Sequence, residues 1–185
     1  MKADETNLLE FLREPKQFVI PIYQRTYSWT KKECKQLFND IKKVGNDNQT
    51  NAHFIGSIVY IQKGIYQVSS IPRPLVIDGQ QRLTTVALLI SALCKHVTED
   101  NENRDIDSEK LKSYYLLNER EKDELRYKLY LTKSDKDTLF KIIDDKEIND
   151  GVSRNLIENY KFFKEKLKEV DLNTIYKGLS KLIII

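Results

Sequence analysis

A chain of 185 residues is long enough to bury one substantial core with a smaller helical annex, and too short for two independent large domains. Its 40% hydrophobic and 32% charged residues exclude wholesale disorder, and a net charge of +3, from 31 basic against 28 acidic residues, permits a local nucleic-acid patch without requiring one. No apolar run reaches the roughly eighteen residues of a membrane span, and Met1-Lys2-Ala3-Asp4-Glu5 lacks the basic-then-apolar order of a secretory signal, so the expectation is a cytoplasmic protein with no membrane partner.

In chain order, Leu8, Leu9, Phe11 and Leu12 predict a short helix over 5–12, ended near Pro15, and Gln17-Phe18-Val19-Ile20 a short strand closed by Pro21. The stretch Ile22 to Trp29 alternates aromatic and polar residues and reads as an ordered loop. Thr30 and Glu33 form a T-x-x-E capping box ahead of Cys34, Leu37, Phe38, Ile41 and Val44 at helical spacing. Cys34 here, and Cys94 further on, sit among apolar neighbours and read as buried thiols rather than a disulfide or metal pair, which suits a reducing compartment.

After a polar loop at 45–52, Phe54 to Ile61 predicts a strand, and Ile65-Tyr66-Gln67-Val68 a second one completing a hairpin. Leu75-Val76-Ile77 predicts a short strand of the fully buried kind. From Gln80 the period changes, and Leu83 through Val97 is apolar nearly all round, as in a helix at the centre of a domain. Past Glu99 a charged linker runs through Asp107. Helices then follow, one marked by Phe140, Ile142 and Ile143 and another by the stripe Leu156, Tyr160, Phe163, Leu167 and Val170. The final Leu182-Ile183-Ile184-Ile185 reads as a strand cut short, because four exposed aliphatics would be an unusual ending. The fold expected is α/β of the α+β kind, with a small mixed sheet and packed helices in residues 1–100 and a mainly helical annex in 101–185.

Chemistry concentrates at Asp78-Gly79-Gln80-Gln81-Arg82, where a strand ends and a helix begins. Gly79 lets the backbone turn close to a ligand, and the unpaired N–H groups of the first helical turn lie at the positive end of the helix dipole. Arg82 adds a planar fork for phosphate oxygens, Gln80, Gln81 and Thr84 add polar groups, and Asp78 can carry Mg²⁺ on the phosphates or orient a water. The competing reading makes Asp78 a plain helix cap and Arg82 a surface residue. Gln24 and Arg25 in the aromatic loop and His53 at a strand entry are further candidates, each with a structural alternative. Walker-type, G-x-G-x-x-G, zinc-spacing and G-x-S-x-G signatures are absent from the sequence.

Three blocks taken together, Phe18-Val19-Ile20-Pro21-Ile22-Tyr23-Gln24-Arg25 with Tyr27 and Trp29, His53-Phe54-Ile55-Gly56-Ser57, and Asp78 to Arg82 with Leu83-Thr84-Thr85, resemble the N-terminal domain of GmrSD-type restriction proteins. That family is ParB/sulfiredoxin-like and is marked by a DGQQR motif. The resemblance spans Phe18 to Leu93. It implies a nucleotide-binding or nucleotide-hydrolysing domain in defence against modified phage DNA, with Gln24, Arg25 and His53 lining the pocket of the DGQQR turn. GTP or ATP with Mg²⁺ would be the ligand, Asp78 and Arg82 would serve catalysis, and DNA would be the partner of the full-length protein, with a homo-oligomer compatible. The HNH-type nuclease of that family has no counterpart here. Two alternatives stand beside this reading: a DNA-binding or modified-base-sensing module without turnover, and an interaction domain with a vestigial site.

Overall fold

A computed structural model of the protein describes residues 3–62, 71–99, 106–148 and 153–185. The first half runs β1 (Thr6–Asn7), α1 (Leu8–Arg13), β2 (Phe18–Val19), α2 (Lys31–Asn46), β3 (His53–Phe54), β4 (Val59–Ile61), β5 (Leu75–Asp78) and α3 (Gln80–Glu99). The second half runs α4 (Ser108–Tyr115), a short 3-10 turn (Asp123–Arg126), β6 (Leu129–Tyr130), α5 (Lys133–Ile143), α6 (Arg154–Leu167), α7 (Leu172–Ser180) and β7 (Leu182–Ile184). The architecture is α+β, with helices packed around two small mixed sheets ordered β1-β7-β3 and β4-β5-β2-β6. In the second sheet β5 and β6 run parallel to β2, with Val19 opposite Leu75 and Phe18 opposite Leu129, while β4 pairs antiparallel to β5.

The central element is α3. Leu83, Val86, Leu88, Leu89, Ile90, Leu93 and Cys94 are all buried, and α4 and α6 both pack on it, so its all-round apolar pattern has the physical meaning expected. Each such side chain contributes on the order of 1.5–3 kcal/mol on leaving water. None of the described helices is long and apolar enough to cross a membrane. One hydrophobic cluster takes residues from both sides of position 100, among them Phe18, Phe38 and Leu93 from the first half and Leu139, Phe163 and Leu179 from the second. The α2–α7 contact is close because both helices present glycine: a Cβ on Gly178 would overlap the Ile41 carbonyl, and one on Gly45 the Thr174 carbonyl.

Several expectations hold in detail. Thr30 and Glu33 form the capping box, with Thr30 N donating to Glu33 Oε2 at 2.7 Å, and α2 follows. Other expectations need correction. The first helix starts at Leu8, because Asn7 caps it by accepting from Leu9 N and Glu10 N. The run 54–61 is not one strand: it breaks at Gly56, whose φ of +109° leaves β geometry, so β3 joins one sheet and β4 the other. The β5 strand is not fully buried, since only Val76 is enclosed and Ile77 is 37% exposed. The predicted strand Ile65 to Val68 lies outside the described residues, as does the expected linker except for Ile106 and Asp107. Of the C-terminal aliphatics, Leu182 to Ile184 do form a strand, but β7 is the middle strand of its sheet with Leu182 and Ile184 buried, and Ile185 alone stands exposed.

Candidate functional site

The site grows from a change of direction between β5 and α3. Gly79 makes the turn at φ +92°, a conformation that L side chains rarely adopt, and a Cβ there would stand 3.0 Å from both Ile58 Cγ1 and the Ser57 carbonyl. Leu83 N donates to Gly79 O at 3.0 Å, closing the first helical ring and leaving the amides ahead of it without intrahelical acceptors. These amides and the positive end of the α3 dipole edge an open cleft of about 420 Å³. One wall runs from Ile77 to Arg82, and the other carries Gln24, Arg25 and Trp29.

Arg82 is half-buried and its Nη1 donates to the Ser57 carbonyl at 2.7 Å. Gly56 makes room for it, because a Cβ at that position would lie 2.5 Å from Arg82 Nη2. Burial lowers the Arg82 pKa from its usual value, and the nearby Asp78 charge opposes that shift. The second and third sequence blocks thus meet through a guanidinium seated over a glycine. Asp78 and Arg25 are exposed, and Gln80 is half-buried at the start of the helix.

Gln24, Gln81 and Thr84 reach the site region but use their side chains differently from expectation. Gln24 Nε2 donates to the Val76 and Ile77 carbonyls, both at 2.8 Å, and ties its loop to β5. Gln81 is buried; its Oε1 accepts from Ser28 N at 2.8 Å and Trp29 N at 3.2 Å, and its Nε2 donates to the Thr26 carbonyl. Thr84 is buried, and its hydroxyl donates to Gln80 O within the helix. These groups shape walls because they face backbone that needs partners. His53 does not line the cleft: it sits on β3 opposite Leu182, with its N–H donating to the Lys181 carbonyl. The structure therefore brings Asp78, Gly79, Gln80, Arg82 and Arg25 to the open space, with Gln81 and Gln24 as its frame.

Sequence reasoning missed Asp135 and Asn159, which hold the same loop from the far half of the chain. Asp135 Oδ2 accepts from Tyr27 N at 2.7 Å, and Asn159 Nδ2 donates to the Trp29 carbonyl at 2.8 Å. A signal for Asn159 existed: it falls three residues after Leu156 and four before Phe163, on the buried face of an amphipathic helix, where a polar residue demands a partner.

A divalent cation fits here in one way. Among the described residues no group of three or more His, Cys, Asp or Glu can hold a metal. Asp78 is the carboxylate on the cleft wall, so Mg²⁺ would have to arrive on phosphates and keep its waters, which is how Mg²⁺ is commonly bound.

The sequence matches the family model of the GmrSD restriction endonuclease N-terminal domain over residues 8–185. That match extends well past the Phe18–Leu93 stretch carrying the motif resemblance and takes in the helices that supply Asp135 and Asn159. No curated protein matches the chain.

Proposed function

Because the chain belongs to the GmrSD restriction endonuclease N-terminal domain family, and so to a restriction and phage-defence setting, we propose that the cleft at the start of α3 binds a nucleoside triphosphate, GTP or ATP, and hydrolyses it with Mg²⁺. The observation that supports this is the meeting of two guanidinium groups with the uncapped first turn of α3 around one open volume. Phosphate oxygens accept from the Gln80 to Arg82 amides. Arg82, fixed by Ser57, neutralises charge at a set position, and Arg25 supplies a movable charge from the opposite wall. Trp29 offers an aromatic surface to the base. A magnesium ion on the phosphates would draw charge off the transferring group, with Asp78 holding one of its waters or orienting the attacking one. Such sites gain most of their rate from electrostatic placement of this kind.

Calorimetric titration with ATP and GTP in the presence of Mg²⁺, on wild type and Arg82→Ala, tests this reading. Wild type is expected to bind one of the two, with Arg82→Ala weaker by about tenfold or more, as for a lost charge-assisted contact. Wild type that binds neither nucleotide would sink it. A second reading, DNA binding without turnover, draws on Ile22 and Tyr23, which are 83% and 75% exposed on the loop leading to Gln24. Large apolar side chains beside a cationic cleft suit a macromolecular ligand. Salt separates the two readings, because duplex affinity through several phosphates falls steeply as salt rises.

A further inference from the structure

The wall that carries Arg25 and Trp29 has no regular secondary structure between Pro21 and Lys31, so something else must fix its distance from α3. Gln81 of α3 clamps it directly at Thr26, Ser28 and Trp29, and a directed chain of buried hydrogen bonds ties the same loop to α6 as well. Thr85 Oγ1 donates to the Gln81 carbonyl at 2.8 Å, which commits its proton. The 2.7 Å contact between Tyr27 and Thr85 must then have the Tyr27 hydroxyl as donor. With that proton committed as well, Tyr27 oxygen accepts from Asn159 Nδ2 at 3.0 Å, and the second proton of the same amide goes to the Trp29 carbonyl. Asn159 is 1% exposed. Its one amide group therefore sits at the head of a chain that runs through Tyr27 and Thr85 into the first turn of α3, and it also grips the backbone of Trp29 directly.

We propose that Asn159 is a positioning residue for the nucleotide cleft, setting the separation of the Arg25–Trp29 wall from the α3 N-terminus. This rests on the nucleotide reading above. Helix α6 contributes no side chain to the cleft lining, yet it fixes the cleft's width through Asn159. The arrangement gives α6 a physical route to the site, because the Tyr27 hydroxyl and the Trp29 carbonyl both accept from its Asn159 amide.

Trp29 is the single tryptophan of the chain, so its fluorescence reports on this wall alone. The test uses the full chain as wild type, Asn159→Ala and Ile175→Val, the last a buried core change on α7 away from the cleft. Asn159→Ala is expected to raise acrylamide quenching of Trp29 and to weaken whichever of ATP or GTP wild type binds by about tenfold, the scale of one lost buried hydrogen bond. Ile175→Val is expected to change neither. Unchanged quenching in Asn159→Ala, increased quenching with unchanged affinity, or equal changes in Ile175→Val would each overturn the proposal. If Asn159→Ala fails to fold, Asn159→Leu, close in shape and without a donor, takes its place in the same comparison. Should wild type bind neither nucleotide, the nucleotide reading fails, and quenching, which needs no ligand, still decides whether Asn159 positions the wall.

Discussion

The two walls of the cleft are built by opposite means. The α3 wall is local: β5, Gly79 and the first helical turn follow one another in sequence, and Arg82 is seated on Gly56 and Ser57 from the neighbouring segment. The 24–29 wall is irregular and is held by side chains from α3, α5 and α6, at sequence separations reaching 132 residues. A wall built from turn geometry should fail through backbone strain. A wall built from side-chain clamps should fail through unpaired polar groups, and the two kinds of failure can be measured separately.

The largest effect is expected at the turn. Gly79→Ala forces a Cβ into a positive-φ position with Ile58 Cγ1 and Ser57 O each 3.0 Å away. Strain at such a position costs of order 1–3 kcal/mol before any clash is added. Urea denaturation should show a loss in the upper part of that range, and an unchanged midpoint would mean that the turn relaxes freely.

Tyr27→Phe attacks the other wall. It strands the Asn159 amide proton and the Thr85 oxygen, for an expected loss of about 1–2 kcal/mol, the usual cost of an unmade buried hydrogen bond. The pH dependence tests the burial of the phenol. Burial, reinforced by Cys34, pushes the Tyr27 phenol above its ordinary value of 10.0. An acid whose folded pKa is raised is neutral in the native state while it ionises in the unfolded chain, so wild type loses this contribution as pH climbs past about 10. The stability gap between wild type and Tyr27→Phe should therefore narrow above pH 10, and a gap that stays constant would mean that burial does not hold the phenol neutral.

What the sequence revealed follows the same division. The capping box of α2, the buried helix after Gln80 and the Asp78–Arg82 turn were legible because each is written in adjacent residues with a fixed period or offset. The break at Gly56 was not legible, since the guanidinium that sits over this glycine arrives from 26 positions later. Nor were the roles of Gln24 and Gln81, because an amide drawn to a ligand and an amide drawn to a bare loop backbone have the same sequence signature. Only the fold supplies the Thr26, Ser28 and Trp29 backbone that Gln81 meets. The family resemblance is borne out by the match over residues 8–185. His53, from its second block, pairs on β3 with Leu182, away from the cleft.

Arg25 offers the smallest structural effect and so the sharpest contrast with Arg82. Its side chain is exposed and no hydrogen bond or ion pair holds it to the rest of the described chain, whereas Arg82 is anchored to Ser57 and packed over Gly56. Arg25→Ala should change stability by no more than about 0.5 kcal/mol, as for an ordinary surface substitution, while Arg82→Ala should cost more through its lost hydrogen bond and the empty space above Gly56. If Arg25 belongs to the site, the same substitution should still weaken nucleotide binding, and the loss should shrink as salt rises because an exposed charge is screened where a seated one is not. Thermal melts beside titrations at two salt concentrations read both quantities. An Arg25→Ala protein with wild-type affinity at low salt would confine phosphate recognition to the α3 wall and leave the opposite wall the role of shaping the space and carrying Trp29.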